Sequence, residues 1–308
     1  MTSTPSSAAY AAVDWGTTSF RLWLISDTGA IIGERRTHEG MTTAAKSGFA
    51  PIFNAHLAAL GAGAHVPAVI CGMAGARQGW VEAGYLDVPA ALGDIVGQAA
   101  RVPDAGRDIR ILPGLAQRDA DRPDVMRGEE TQLLGALGKA EGAHLVCMPG
   151  THSKWVRVED GRVTGFSTFM SGELFDVLSK QSILSHAVAE ASAFDGTHEA
   201  FRAAVAEAIA HPALATNLFF TVRSGQLLHG HDATRSKARL SGLTIGLEIA
   251  GALSSTRPGT AVSLVASGPL AALYGAALDA AGLSATLIDA DLAVRDGLAS
   301  AAHSLWPA

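Results

Sequence analysis

Between residues 10 and 36 three short hydrophobic bursts follow one another, parted by two clusters of turn formers. Residues 10–13 are wholly apolar and deliver Asp14. Phe20, Leu22 and Leu24 then alternate with Arg21, Trp23 and Ile25, and a third run occupies 30–36. Gly16, Thr17, Thr18 and Ser19 fill the first gap and Asp27-Thr28-Gly29 the second. Period-two alternation bounded by such residues predicts strands joined as hairpins. The same order returns later in the chain. An apolar run at 145–148 leads into Gly150-Thr151-His152-Ser153, then an alternating strand, then Glu159-Asp160-Gly161, then a strand at 163–169. Gly16 and Gly150 stand 134 positions apart, too far for one unit of a solenoid. The pattern predicts two similar lobes, each built on a hairpin sheet.

The remaining periodicities fill in an α/β chain. Helical spacing is read at 47–60, from Gly128 through Leu137, and at 172–185, 196–210, 213–228, 238–253 and 291–305. Buried strands are expected at 66–70, 109–112, 262–266 and 286–288, the third leading through Ser267-Gly268-Pro269 into a helix. A polar break at Glu141-Gly142 divides the two halves.

Composition narrows the partners. The chain has 308 residues, 48% hydrophobic and 17% charged, with a net charge of -6. That is an ordinary globular balance, and it argues against nucleic acid or an anionic membrane surface as the main partner. No apolar stretch is long enough to span a bilayer, and residues 1–8 read as a loose polar tail. Cys71 and Cys147 lie in separate apolar runs, which suggests reduced core thiols and a cytoplasmic protein. A P-loop signature and a dinucleotide-binding glycine fingerprint are both missing.

Candidate chemistry gathers in four places. A tight loop of glycine and hydroxyl residues after a strand can present donors to phosphate, and Asp14 can hold a hydrated magnesium ion. The bland alternative is that these residues merely suit a turn. The stretch 72–80 is rich in glycine, with Gly75 in its midst, and Arg77, Gln78 and Trp80 could grip or stack on a ligand; a plain surface loop would look similar. Glu129 and Glu130 open a helix, where the macrodipole alone would favour them. His229-Gly230-His231-Asp232 invites a metal reading, but two histidines without a further spaced ligand seldom suffice.

As a set, several of these segments resemble one family. They are Asp14-x-Gly16-Thr17-Thr18-Ser19-x-Arg21, Cys71-Gly72-Met73-Ala74-Gly75, the stretch from Met126 to Gln132, and Met148-Pro149-Gly150-Thr151-His152-Ser153-Lys154-Trp155-Val156. Residues 170–174 and 240–246 complete the set. The resemblance, from about Ala11 to the C-terminal helix, is to the 2-dehydro-3-deoxygalactonokinases, a branch of the actin/hexokinase/Hsp70-like sugar kinases. It implies an α/β fold of two duplicated actin-like (ribonuclease H-like) lobes, 9–140 and 141–305, with an ATP cleft between them.

The family's chemistry then distributes roles. Asp14 would hold Mg2+ through water. Gly16, Thr17 and Thr18 would cradle one side of the ATP polyphosphate, and Gly150, Thr151 and Ser153 the other. Arg21 or Lys154 would offset charge on the transferred group. Related kinases carry a catalytic carboxylate on a similar Gly-acid-x-Gln helix, which points to Glu129 as base, with Glu130 second and Asp124 next. Adenosine would sit near Gly268, although many relatives carry two glycines where this chain has Ser267-Gly268-Pro269. The implied acceptor is the 6-hydroxyl of 2-dehydro-3-deoxy-D-galactonate in galactonate catabolism. Its carboxylate would need a cation: Arg77, or else Arg127 or Lys154. A kinase of another sugar or keto-sugar acid, a phosphohydrolase of the same superfamily and a nucleotide-gated binding module are the rival readings, and a homodimer is left open.

Overall fold

The computed structural model describes residues 8–254, 256 and 261–307. Most of the expected polar tail lies outside them, and Ala8 already begins the first strand. The chain divides into two compact units: one comprises the chain up to Gly142, Glu159–Gly165 and the stretch from Ala290; the other comprises Ala143–Val158 and Phe166–Asp289.

In the first unit β1 (Ala8–Trp15), β2 (Phe20–Ser26) and β3 (Ile31–Thr37) form the expected meander. Helices α1 (Met41–Ser47) and α2 (Phe49–Ala59) follow, then β4 (Ala68–Gly72). Short pieces come next: β5 (Tyr85–Asp87), β6 (Ala90–Ala91), α3 (Asp94–Gly97), β7 (Ala100–Arg101), β8 (Ile109–Ile111), β9 (Gly114–Gln117) and β10 (Asp124–Met126). Helix α4 (Glu129–Leu137) ends this run. The main sheet has the order β3-β2-β1-β4-β8-β7. Strands β1 and β4 run parallel, with Asp14 beside Cys71 and Trp15 beside Gly72. Every residue of β4 is buried, as suits a strand covered on both faces. Strand β3 is mostly exposed, and Glu34, Arg35 and Arg36 guard it as a charged edge.

The second unit repeats this plan. It holds β11 (Ala143–Met148), β12 (Ser153–Glu159), β13 (Arg162–Phe169), α5 (Ser171–Gln181), α6 (Ser185–Val188), α7 (Glu199–Ala210), α8 (Ala215–His229), α9 (Ala233–Leu253), β14 (Val262–Ala266), α10 (Gly268–Ala280) and β15 (Ala285–Asp289). Its strands run β15-β14-β11-β12-β13, with β11, β14 and β15 parallel. Reading β3-β2-β1-β4-β8 against β13-β12-β11-β14-β15 gives one strand order twice, that of an actin-like lobe. Strand β13 starts in the first unit, where Arg162 and Val163 pair with β6, and finishes in the second.

The boundary expected at 140/141 is corrected at the chain's end. The last helix, α11 (Ala290–Leu305), belongs to the first unit and not to the C-terminal lobe. Glycines explain the fit: a Cβ on Gly135 would strike the Ala293 carbonyl, and one on Gly297 would strike that of Thr131. Helices α4 and α11 therefore meet backbone to backbone. Helix α9 also starts earlier than expected, at Ala233, because the Asp232 side chain caps it by accepting from Arg235 N–H at 2.8 Å. Among the described residues no single helix is long and apolar enough to cross a membrane.

Candidate active site

The loop between β1 and β2 is held from behind. Gly16 donates to the Ser19 carbonyl, its own carbonyl accepts from Met41 N–H at 2.9 Å, and that of Thr17 accepts from Thr42 N–H at 3.1 Å. Gly40 lets the start of α1 press against this loop, since a Cβ there would lie 2.5 Å from Thr17 and Thr18 backbone atoms. The side chains of Thr17 and Thr18 stay exposed. Asp14, next to last in β1, has its side chain only 14% exposed and bonds Arg21 at 2.8 Å. Burial pushes its carboxyl pKa up, against the opposing pull of Arg21 and a long contact from Cys71 Sγ. Arg21 also pairs with Asp291 of α11, which in turn holds Arg36 at 2.8 Å. Burial raises the Asp291 pKa, but the two arginines outweigh it and hold the group below its usual value. Asp291 was missed in the sequence: 270 residues separate it from Arg21.

The matching loop of the second unit is built alike and wired differently. The Thr151 carbonyl accepts from Glu173 N–H at 3.0 Å, and Gly172 gives α5 the room to close on Gly150. Thr151 is exposed. Ser153 departs from the expected role: its hydroxyl is fully buried and bonds Tyr274 Oη at 3.0 Å. It is the first residue of β12, whose first four residues are buried on both faces. Lys154 is also buried, its ammonium donating to the His152 carbonyl at 3.2 Å.

In the first unit, the two glutamates of α4 take different positions. Glu129 is half-buried and accepts from Arg127 N–H at 3.1 Å. Glu130 is fully buried, accepting from Gly128 N–H at 2.7 Å and from the Thr131 hydroxyl at 3.0 Å. Burial, with the charge of Glu129, pushes its pKa up to about 8. Gly128 adopts φ +108°, a left-handed turn that aims both carboxylates back over the helix start. Asp124 lies in β10, half-buried, bonding its neighbour Val125 N–H.

Arg127 is the most unusual cation of this segment. It stacks on the Tyr85 ring, 4.4 Å from Cζ to centroid, and donates through Nη2 to the Gly84 carbonyl at 2.8 Å. Nε and Nη1 are buried, with no acceptor among the described residues. Gly75 makes this placement feasible, because a Cβ there would meet Nη1 at 2.9 Å. Arg77 is exposed on the same loop. Trp80, expected to stack on a ligand, instead packs in the core against Trp15, Phe49 and Phe53.

The second unit also contains an apolar cavity of about 230 Å³ that the sequence did not reveal. Phe175 and Phe194, Ile245, and Leu270, Leu273 and Tyr274 supply its walls, and Gly150 and Gly172 reach its edge. Gly268, at φ +61°, starts the helix that carries three of these residues. The residues lie at 150–175, 194, 237–245 and 270–274; the resemblance had marked several of these segments and set adenosine near Gly268, but no local pattern shows that they share one cavity.

Similarity to known proteins joins these features. The sequence model of 2-keto-3-deoxy-galactonokinase matches residues 14–301. The chain belongs to the 2-keto-3-deoxy-galactonokinase family. It is 62% identical over 299 residues to "Probable 2-dehydro-3-deoxygalactonokinase DgoK1" of Rhizobium meliloti (strain 1021), covering 97% of this chain and 98% of that one. It is 34% identical to the 2-dehydro-3-deoxygalactonokinase of Escherichia coli (strain K12), covering 97% and 99%. A crystal structure from Sinorhizobium meliloti, assigned to the same kinase, superposes with a TM-score of 0.95 at 62% identity, covering 97% of this chain and 100% of the other.

Proposed function

We propose that this chain is a cytoplasmic, ATP-dependent kinase that phosphorylates the 6-hydroxyl of 2-dehydro-3-deoxy-D-galactonate in galactonate catabolism. Family membership supports the reaction, and Arg127 supports the acid. Buried donors left without acceptors are destabilising. The sugar-acid carboxylate would supply an acceptor once the side chain turns outward, because Nε and Nη1 are closed off from solvent as it stands. On this reading Arg127 takes the role first expected of Arg77, whose exposed side chain assists.

The loop residues Gly16, Thr17 and Thr18, and Gly150 and Thr151, receive the phosphates of ATP, while the apolar cavity takes the nucleoside. Magnesium fits the acids present: Asp14 and Asp291 flank Arg21, and Mg2+ seldom needs more than one or two protein carboxylates besides substrate phosphates. Asp14 would hold it, and its charge would offset that of the phosphates. Arg21, already engaged by both carboxylates, holds them in place, and Lys154 carries charge behind the second loop. Glu129 accepts the proton of the acceptor hydroxyl. Glu130 is withdrawn into the core, bonded to its own helix, and serves shape.

An ADP-release assay over neutral sugars and 2-keto-3-deoxy acids tests this. Turnover should require a keto-deoxy sugar acid. Arg127→Met should raise the acid's KM tenfold to a hundredfold, the worth of a charge-assisted hydrogen bond, with ATP's KM unchanged. Glu129→Gln should lower kcat by about 10² or more. Glu130→Gln should leave most of the rate. Steady ADP release without any acceptor would instead identify a phosphohydrolase.

A further inference from the structure

Glu248, on α9, is 2% exposed and has only neutral partners. Its Oε1 accepts from Trp155 Nε1–H at 2.8 Å, and its Oε2 from the Tyr274 hydroxyl at 2.8 Å. The hydroxyls of Ser171 and Ser153 lie close enough to the same carboxylate to favour its charged form. Burial raises its pKa, and the four donors oppose that rise. An apolar side chain would fill this volume without desolvating a charge, so the carboxylate's contribution lies in what it joins. Ser153 and Trp155 belong to the strand leaving the second phosphate loop. Ser171 starts α5, the helix that closes on that loop. Tyr274 is on α10, and its ring walls the apolar cavity. The Tyr274 hydroxyl also meets Ser153 Oγ at 3.0 Å. Loop and cavity thus share one buried acceptor.

We propose that Glu248 is a positioning residue that couples occupancy of the nucleoside cavity to the shape of the second phosphate loop, through Tyr274 and Ser153. A base seated against the Tyr274 ring fixes that ring. The phenol then holds Glu248 and Ser153 in register, and with them the backbone of Gly150 and Thr151. Adenosine alone fills the cavity, and only a nucleotide with phosphates benefits from the ordered loop. The inference rests on ATP as the nucleotide and not on the identity of the acceptor.

Calorimetric titration with adenosine, and with ADP plus magnesium, separates these parts and needs no turnover. In Tyr274→Phe the cavity wall is kept and the hydroxyl lost. Its adenosine Kd should stay within twofold of wild type, while ADP binding weakens at least tenfold. Glu248→Gln keeps the volume but offers one acceptor oxygen to two donors, and it should show the same split. Combining Tyr274→Phe with Ser153→Ala should weaken ADP no more than about twofold beyond the worse single change, as members of one network do. Parallel weakening of adenosine and ADP would overturn the coupling, leaving Tyr274 as mere wall. So would ADP affinities within twofold of wild type in the folded variants. If Glu248→Gln fails to fold, Tyr274→Phe alone decides. Failure of wild type to bind adenosine would overturn the cavity assignment and the coupling together, whereas turnover of a different acceptor would touch only the substrate.

Discussion

Aligned at their 134-residue offset, the two glycine-hydroxyl hairpins agree in strand order and disagree in chemistry. Asp14 corresponds to Met148, Ser19 to Ser153 and Arg21 to Trp155. In both, a glycine after the third strand (Gly40 or Gly172) lets a helix lean on the loop, and the loop carbonyls accept from that helix's first N–H groups. Behind the first loop lies a partly exposed chain of charges, Asp14, Arg21, Asp291 and Arg36. Behind the second lies a buried carboxylate served by neutral donors, Trp155, Tyr274 and two serines. Strand order sets where a loop forms. What stands behind it decides whether the loop manages charge or holds shape.

The contrast breaks first at Asp14. Asp14→Asn keeps the turn and removes the charge, and kcat should fall by 10² to 10³ with the fold intact; Met148→Leu, at the matching place, should leave kcat within about twofold. Wild-type turnover in Asp14→Asn, with unchanged magnesium dependence, would sink the division of labour.

Next comes Glu130, a buried carboxylate that, unlike Glu248, has a second carboxylate beside it in Glu129. Its folded pKa of about 8 exceeds the ordinary 4.5, so between these values the folded state binds more protons than the unfolded. Its contribution to stability is therefore full below pH 4.5, declines as pH rises and is lost above about 8. From pH 5 to 7 wild type should lose up to about 2 to 3 kcal/mol on this account, at 1.36 kcal/mol per unit. Glu130→Gln should flatten that slope, which denaturant melts at several pH values would read. An equal slope in both proteins refutes the assignment.

The shared glycines should respond alike. Gly40→Ala and Gly172→Ala each drive a methyl into a loop backbone, and each should destabilise by about 1–3 kcal/mol. Unequal effects would show that one loop yields more readily. The smallest effect belongs to Arg36, half exposed at the rim of the charge chain. Arg36→Gln should change stability by less than about 1 kcal/mol and fade further in salt.

Much of this was legible in the sequence. Turn chemistry and alternation located both hairpins to within a residue or two, because strand period and glycine placement are local properties. The glutamates at the start of α4 were found by the same local logic. A hydroxyl in a loop motif looks ready for phosphate, whereas Ser153 opens a strand buried on both faces and bonds Tyr274. Trp80 was misplaced because a ring in a Gly-rich loop gives no hint that the Trp15 cluster needs it. Asp291 and Glu248 could not be read at all, and of the cavity only its neighbourhood near Gly268 was expected. Asp291 and Glu248 sit on helices, and a helical pattern does not say which distant loop its residues will meet.

Helix α11 also sets an order of events during synthesis. The first unit opens the chain, yet its charge chain lacks Asp291 and its α4 lacks a packing partner until the last residues are made. Translation must deliver the entire second unit before the first can close, so the earlier-made half should remain protease-sensitive on the ribosome while the later-made half is already folding. A stop codon placed just before Ala290 would therefore injure the phosphate loop that was translated first.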